Sequence, residues 1–257
     1  MIDERAFIHP SAMIGPDVSI GPWSYIGENV TIDEGTVVGP HVVIKGPTRI
    51  GKNNKIFQFA SIGEQPQDKK YENEPTELVI GDNNVIREYC NFNRGTLQGG
   101  AITRIGSRNL FMANVHIAHD CQIGNNIIMA NNTSVAGHVT IKDFAILSGY
   151  IGIHQFCLIG EYSFLSHGML ITQDVAPYLM VAGGRRKKVS GINLEGLRRH
   201  QFSPEAIRAI KEMYKILYMR NLPLEEATVQ LEELAKTHPE IQRVVSFIGE
   251  SQRGLLA

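Results

Sequence analysis

The chain has 257 residues, of which 43% are hydrophobic, 20% charged and 7% aromatic, and its formal net charge is −1. That length holds one large domain, or a large one with a small companion. The near-neutral balance gives no electrostatic case for a nucleic-acid partner, and no run approaches the roughly 18 apolar residues of a membrane helix.

Of the 30 isoleucines, 24 precede residue 172. Counted in sixes, Ile2, Ile8, Ile14, Ile20, Ile26, Ile32, Val38, Ile44, Ile50, Ile56 and Ile62 are all aliphatic. The count resumes at Ile80, Ile86 and Phe92, slips by one residue, and then runs unbroken from Ile105 to Ile171. A period of six is a multiple of two and not of 3.6, so it suits short strands that point the same residue inward each time. Glycine often follows the aliphatic residue, as at Gly15, Gly27, Gly39, Gly51, Gly63, Gly81, Gly106, Gly124 and Gly160. Gly and Asn at this frequency are expected to supply the permissive backbone of a turn after each strand. The reading is a mostly-β fold, a parallel β-helix of hexapeptides. It resembles the left-handed hexapeptide β-helices, in which three hexads close a triangular coil of about 18 residues.

Two polar stretches, 63–79 and 93–104, interrupt the count and are expected to project as loops, often the binding side of a solenoid. After Ile171 the period disappears, and Arg185-Arg186-Lys187-Lys188 forms a short basic run. Ser203-Pro204-Glu205 reads as a helix start, a cap followed by proline and an early acid. Further helices are expected from Leu222 to about Lys236 and from Pro239 to about Ser251. The chain thus divides into a β-helix over 1–190 and a small helical domain over 191–257.

Five of the nine histidines lie between 116 and 167. His119 to His138 is one residue more than a coil, and His119 to His154 is one short of two coils. These three are expected near one edge on successive coils, with His116 sharing the coil of His119. Three roles compete: histidines at surface turns, a metal site, and general-base catalysis. Stacked histidines bind zinc in enzymes of this β-helix class, but there is no H-x4-H and only Asp120 is an obvious nearby carboxylate. His119-Asp120 suits a base whose tautomer the carboxylate orients. There is no P-loop, Rossmann fingerprint, G-x-S-x-G or H-E-x-x-H. Cys90, Cys121 and Cys157 are odd in number and widely spaced, which fits a reducing cytoplasm better than a disulfide scaffold. Cys121 and Cys157 are nucleophile candidates on position alone, and equally structural ones.

Several motifs carry a more specific resemblance: Asn114-Val-His-Ile-Ala-His-Asp-Cys121, Ala136-Gly-His138, His154-Gln-Phe-Cys157, Gln67-Asp-Lys-Lys-Tyr71, Asn93-Arg-Gly-Thr96 and Asn193-Leu-Glu-Gly-Leu-Arg-Arg199. In this order they are similar to the acyl-carrier-protein–UDP-N-acetylglucosamine O-acyltransferases of lipid A synthesis, over nearly the whole chain. The resemblance implies a cytoplasmic homotrimer with sites in clefts between adjacent β-helices and with no cofactor or metal. Its implied partners are acyl carrier protein and a UDP-sugar nucleotide. It implies that His119 removes the proton of the sugar 3-hydroxyl, that Asp120 orients His119, and that the Gly137 N–H receives the oxyanion. It places Asp68, Lys70, His116 and His138 at substrate contacts, and Gln155, Asn193, Glu195 and Arg199 at nucleotide-binding positions, with His154 beside Gln155.

Three departures from the family pattern stand out. Asn93 replaces a common histidine near the acceptor, which raises the alternative of a 3-amino sugar and N-acylation. His200 replaces a usual second arginine. His167 occupies the position that sets acyl length, and its bulk implies a shorter chain. The run Arg185–Lys188, with Arg198, Arg208 and Lys211, is a candidate dock for the acidic carrier protein. The related glucosamine N-acyltransferases normally carry an extra N-terminal domain, whereas the repeat here starts at Ile2.

Overall fold

The computed structural model describes residues 1–183 and 188–257. Strands of two to five residues assemble into three sheets of nine, eight and ten strands, the flat sides of a left-handed parallel β-helix. Each strand pairs with the one a coil later, so Ile8 faces Ile26, Ile14 faces Ile32 and Ile20 stacks in the row of Val38. The hexad residues fill the interior: Ile26, Ile44, Ile62, Phe92, Ile117, Val135 and Ile153 are buried. Burial of each such side chain is worth about 1.5–3 kcal/mol before ordering costs.

The two interruptions are loop excursions, and the register gives their lengths. Ile50 pairs with Ile80, thirty residues on rather than eighteen, so the first excursion adds two hexads' worth of chain and leaves the count in phase. Ile80 pairs with Ile105, twenty-five residues on, so the second adds one residue more than a hexad and shifts the phase by one.

The turns are built differently from the expectation. The glycines after the aliphatic residue do not supply left-handed backbone, except Gly63 at φ 76°. That conformation falls three residues after the core residue, at Asp17, Asn29, Asn53, Asn126 and Asn132, and also at aromatic and histidine residues. Asn and Asp tolerate it by bonding their own backbone. Aromatic side chains there stack on the next coil, as in Trp23–His41–Phe59–Tyr89 with centroids 4.9, 5.4 and 5.2 Å apart. The glycines are needed for close approach instead: a Cβ on Gly15 would lie 2.9 Å from the Glu34 nitrogen, and one on Gly21 2.7 Å from the Pro40 nitrogen.

Beyond Ile171 the solenoid ends in features that carry no hexad signal. Leu179–Ala182 joins one sheet in parallel, and Lys188–Ile192 returns antiparallel to it. Four helices follow: α1 (Leu194–Arg199), α2 (Pro204–Tyr218), α3 (Leu224–Ala235) and α4 (Pro239–Glu250). Ser203 caps α2 as expected, its hydroxyl accepting the Ala206 N–H at 3.1 Å. The short α1 was not anticipated, because six residues show no helical period. It is capped by Asn193, whose Oδ1 accepts the Gly196 N–H at 3.1 Å. No helix among the described residues is long and apolar enough to cross a membrane. Arg185, Arg186 and Lys187 of the basic run lie outside the described residues.

Candidate active site

One corner of the solenoid carries three rows of residues spaced by one coil. The first is Ala118–Ala136–His154, the second His119–Gly137–Gln155, the third Asp120–His138–Phe156. The three expected histidines therefore sit at one edge but in three different rows. His119 and His138 meet edge to face at 5.1 Å, and His138 stacks on Phe156 at 4.6 Å. His154 is exposed and turns its Nδ1 to the carbonyl of Gln155 at 3.1 Å.

The middle row explains a glycine. A Cβ at Gly137 would lie 2.6 Å from Cε1 and 2.8 Å from Nε2 of His119, so the imidazole occupies the space above it. The Gly137 N–H has no acceptor among the described residues, and this residue lines the same groove as His119.

Asp120 is almost completely buried, in the left-handed region at φ 62°. His119 Nδ1 lies 2.7 Å from its Oδ2. An ionised carboxylate only accepts, so Nδ1 carries the imidazole proton and Nε2 keeps its lone pair. Thr96 donates its N–H to Oδ1 and its hydroxyl to Oδ2, both at 2.7 Å. Burial alone would raise the Asp120 carboxyl, but the bonds from His119 and Thr96 outweigh it and hold it below the usual carboxylate range. His138 Nε2 is 3.6 Å from the same Oδ2. Burial lowers the His138 imidazole, against the opposing pull of Asp120, and also lowers His116, whose Nδ1 meets Asn91 Oδ1 at 2.8 Å.

His119, His154 and Gln155 line a groove of about 470 Å³ over one sheet. Its floor is the outward row His116, Ser134, Gly152 and Leu170, which stack in register. Small residues in the middle, with Ala118 and Ala136 on one side and Leu170 at the end of the row, leave an apolar trough that a hydrocarbon chain fits.

The first excursion reaches this corner. Gln67 lines the groove, and the Asp68 carboxylate acts electrostatically on His138. Lys70 is exposed, with its backbone N–H on Asp68 Oδ1 at 3.0 Å. Gln67, Ser134 and Thr96 were not singled out as site residues from the sequence, although Gln67 and Thr96 lie inside the quoted motifs.

Other expected residues stand apart from the groove. Asn93 is buried and does not line it; its NH₂ donates to the Gln65 carbonyl at 3.1 Å and anchors the first excursion. Asn193 spends both ends of its amide on the fold, capping α1 and donating to the Tyr162 carbonyl at 2.9 Å. Glu195 and Arg199 pair with each other at 3.1 Å on the exposed side of α1. His200 packs edge-on against Phe144 and Tyr162 at 4.9 and 5.2 Å. His167 is exposed at the opposite edge of the groove-bearing sheet, against Tyr150 at 5.3 Å.

Two rival chemistries can be weighed on the same geometry. Burial pushes the Cys121 thiol up to about 12, and its Sγ donates to the Ala136 carbonyl at 3.1 Å, so it is no thiolate nucleophile. Ligand atoms of His119, Asp120 and His138 lie within 4.8 Å of one another, close enough to hold a cation. Both Asp120 oxygens, however, already accept short hydrogen bonds, an arrangement that suits a carboxylate orienting His119 better than one ligating a cation.

This geometry has close counterparts. The hexapeptide-transferase family model ("Bacterial transferase hexapeptide (six repeats)") matches residues 1–34 and 102–137. A second model, "Udp N-acetylglucosamine O-acyltransferase; Domain 2", matches 174–256. The acyl-[acyl-carrier-protein]–UDP-N-acetylglucosamine O-acyltransferase of Halorhodospira halophila is 52% identical over 255 residues, 99% of this chain and 98% of that protein. The chain belongs to the UDP-N-acetylglucosamine O-acyltransferase family. Among solved members, LpxA from Acinetobacter baumannii superposes with a TM-score of 0.97 at 48% identity, covering 100% of this chain and 99% of that one. The UDP-N-acetylglucosamine acyltransferase of Francisella novicida gives 0.97 at 45%, covering 100% and 94%. In this acyltransferase fold the hexad core carries the His119 corner, and the helical tail packs on the last coils through α2 and the return strand.

Proposed function

We propose that this protein transfers a (3R)-3-hydroxyacyl group from acyl carrier protein to the 3-hydroxyl of UDP-N-acetylglucosamine, with His119 as general base. The carrying observation is the His119–Asp120 pair, tautomer fixed, at the mouth of an apolar groove and packed on the unpaired N–H-bearing Gly137. In the step, His119 Nε2 takes the proton of the sugar hydroxyl as its oxygen attacks the thioester carbonyl. The Gly137 N–H donates to the oxyanion of the tetrahedral intermediate. Collapse breaks the C–S bond, and the imidazolium returns its proton to the departing thiolate. Asp120 stabilises the transient imidazolium. The acyl chain runs over Ser134 and Gly152, and Asp68, Lys70, His116, His138, His154 and Gln155 surround the acceptor.

Asn193, Glu195 and Arg199 stand away from the groove of their own chain, so their nucleotide role requires a second subunit. A homotrimer with sites between adjacent β-helices accommodates this. Exposed Arg198, Arg208 and Lys211 on α1 and α2 are offered to the acidic carrier protein, a contact that salt would weaken. The three buried cysteines fit a cytoplasmic protein. The hydroxyl acceptor is favoured over a 3-amino sugar because the 52% identical relative is named an O-acyltransferase of UDP-N-acetylglucosamine and Asn93, the residue that raised the alternative, does not line the groove. Mass spectrometry of products from defined acyl carrier proteins and both acceptors tests the assignment. An ester of the 3-hydroxyl acceptor is expected; exclusive use of the amino acceptor, or no product from either, would refute it.

A further inference from the structure

The second excursion inserts chain between Asn93 and Ile102, and its residues converge on one atom group. Thr96 caps the single turn Leu97–Gly99, accepting the Gly99 N–H on its hydroxyl oxygen at 3.3 Å. With that oxygen accepting there, the hydroxyl proton is directed to Asp120 Oδ2 at 2.7 Å, while the Thr96 N–H takes Oδ1 at 2.7 Å. Gly99 packs on the same carboxylate: a Cβ on it would fall on the Asp120 carboxyl group. From the other side, Thr103 Oγ1 accepts the Asp120 N–H at 2.8 Å. Thr96 is itself buried, so water does not compete for these bonds.

We propose that Thr96 is a positioning residue of the catalytic pair: its N–H and hydroxyl hold the Asp120 carboxylate in the orientation that presents Oδ2 to His119 Nδ1. Without the hydroxyl, the carboxylate is free to turn toward His138, whose Nε2 is only 3.6 Å from Oδ2. The seven-residue excess of the second excursion thereby has a purpose, to bring Thr96 and Gly99 over a corner that a plain coil leaves open. The inference rests on His119 being the base.

The charged and titratable groups facing this pair are His116, His138 and, through His138, Asp68. The test compares Thr96→Val, Thr96→Ser and His119→Gln in steady-state acyl transfer across pH. Thr96→Val is expected to lose roughly tenfold or more in kcat, a fraction of what a general base supplies, with both KM values held within about twofold. Its acid limb is expected to move to lower pH, because a carboxylate turned toward His138 stabilises the His119 imidazolium less. Thr96→Ser, which keeps the hydroxyl, is expected to restore kcat and the limb. A Thr96→Val enzyme with unchanged kcat and pH profile, or a Thr96→Ser enzyme as impaired as Thr96→Val, would overturn the proposal. If His119→Gln is inactive while Thr96→Val is fully active, only the role of Thr96 fails; an active His119→Gln refutes the base assignment itself. Independently of any variant, NMR of the wild-type protein should show a Thr96 hydroxyl proton that exchanges slowly with water, and free exchange would contradict the proposal.

Discussion

Gly137 and His119 share one volume: any side chain at 137 would begin within 2.6 Å of the His119 ring. Gly137 is not in the left-handed region, so its conservation of space, not of backbone conformation, is what a substitution would disturb. Gly137→Ala is expected to leave the melting temperature near wild type and to lower kcat by about 10²-fold, the cost of a displacement of about 1 Å at a reacting centre. Steady-state kinetics with thermal melts checks this, and an active variant would show that the ring is placed by something else.

Stability should depend on pH through the buried histidines. Burial lowers His116 and His138 below the ordinary imidazole value of 6.5. Between that value and their folded values the unfolded chain binds more protons, so stability rises with pH there and falls on acidification below about pH 6.5. Asp120, held below 3.8, contributes stability that is present above that value and is lost as pH falls through its folded value. Urea midpoints measured from pH 7 to pH 5 should decline, and His116→Gln should flatten the decline.

A site shared between subunits predicts complementation. His119→Gln and Arg199→Ala chains, each inactive alone, should regain part of the wild-type rate when co-expressed, because a mixed oligomer pairs an intact His119 with an intact Arg199. Absence of recovery in verified mixed oligomers would place the whole site within one chain.

His167 lies at the far edge of the groove-bearing sheet from His119, packed on Tyr150. Under the proposed function, an acyl chain long enough to cross that sheet would reach its ring. His167→Gly should shift the preferred donor toward longer acyl chains in competition assays with mixed acyl carrier proteins, and an unchanged preference would remove His167 from length selection.

The β-helix was legible because its core repeats at every sixth residue and tolerates few exceptions. The first excursion was visible only as polarity, since its length left the phase intact, while the second betrayed itself by the slip between Phe92 and Ile105. Sequence order brought out His119 beside Asp120 because neighbours at a tight corner meet. It could not bring out Thr96, twenty-four residues earlier, whose contact exists only once the second excursion folds back. Glycine frequency alone points to the wrong residues for the left-handed turns: Asn and Asp take that conformation by bonding their own backbone, and His and aromatic residues by stacking along the corners. The return strand Lys188–Ile192 and α1 were missed because neither is long enough to show a period.

The central claim is that His119 is the base of an acyl transfer. The most direct test is the rate of His119→Gln with a (3R)-3-hydroxyacyl carrier protein and UDP-N-acetylglucosamine, followed by mass spectrometry of the ester product. A fall in kcat of roughly 10²–10⁴-fold with the fold intact is predicted; a variant within a few-fold of wild type would contradict the account.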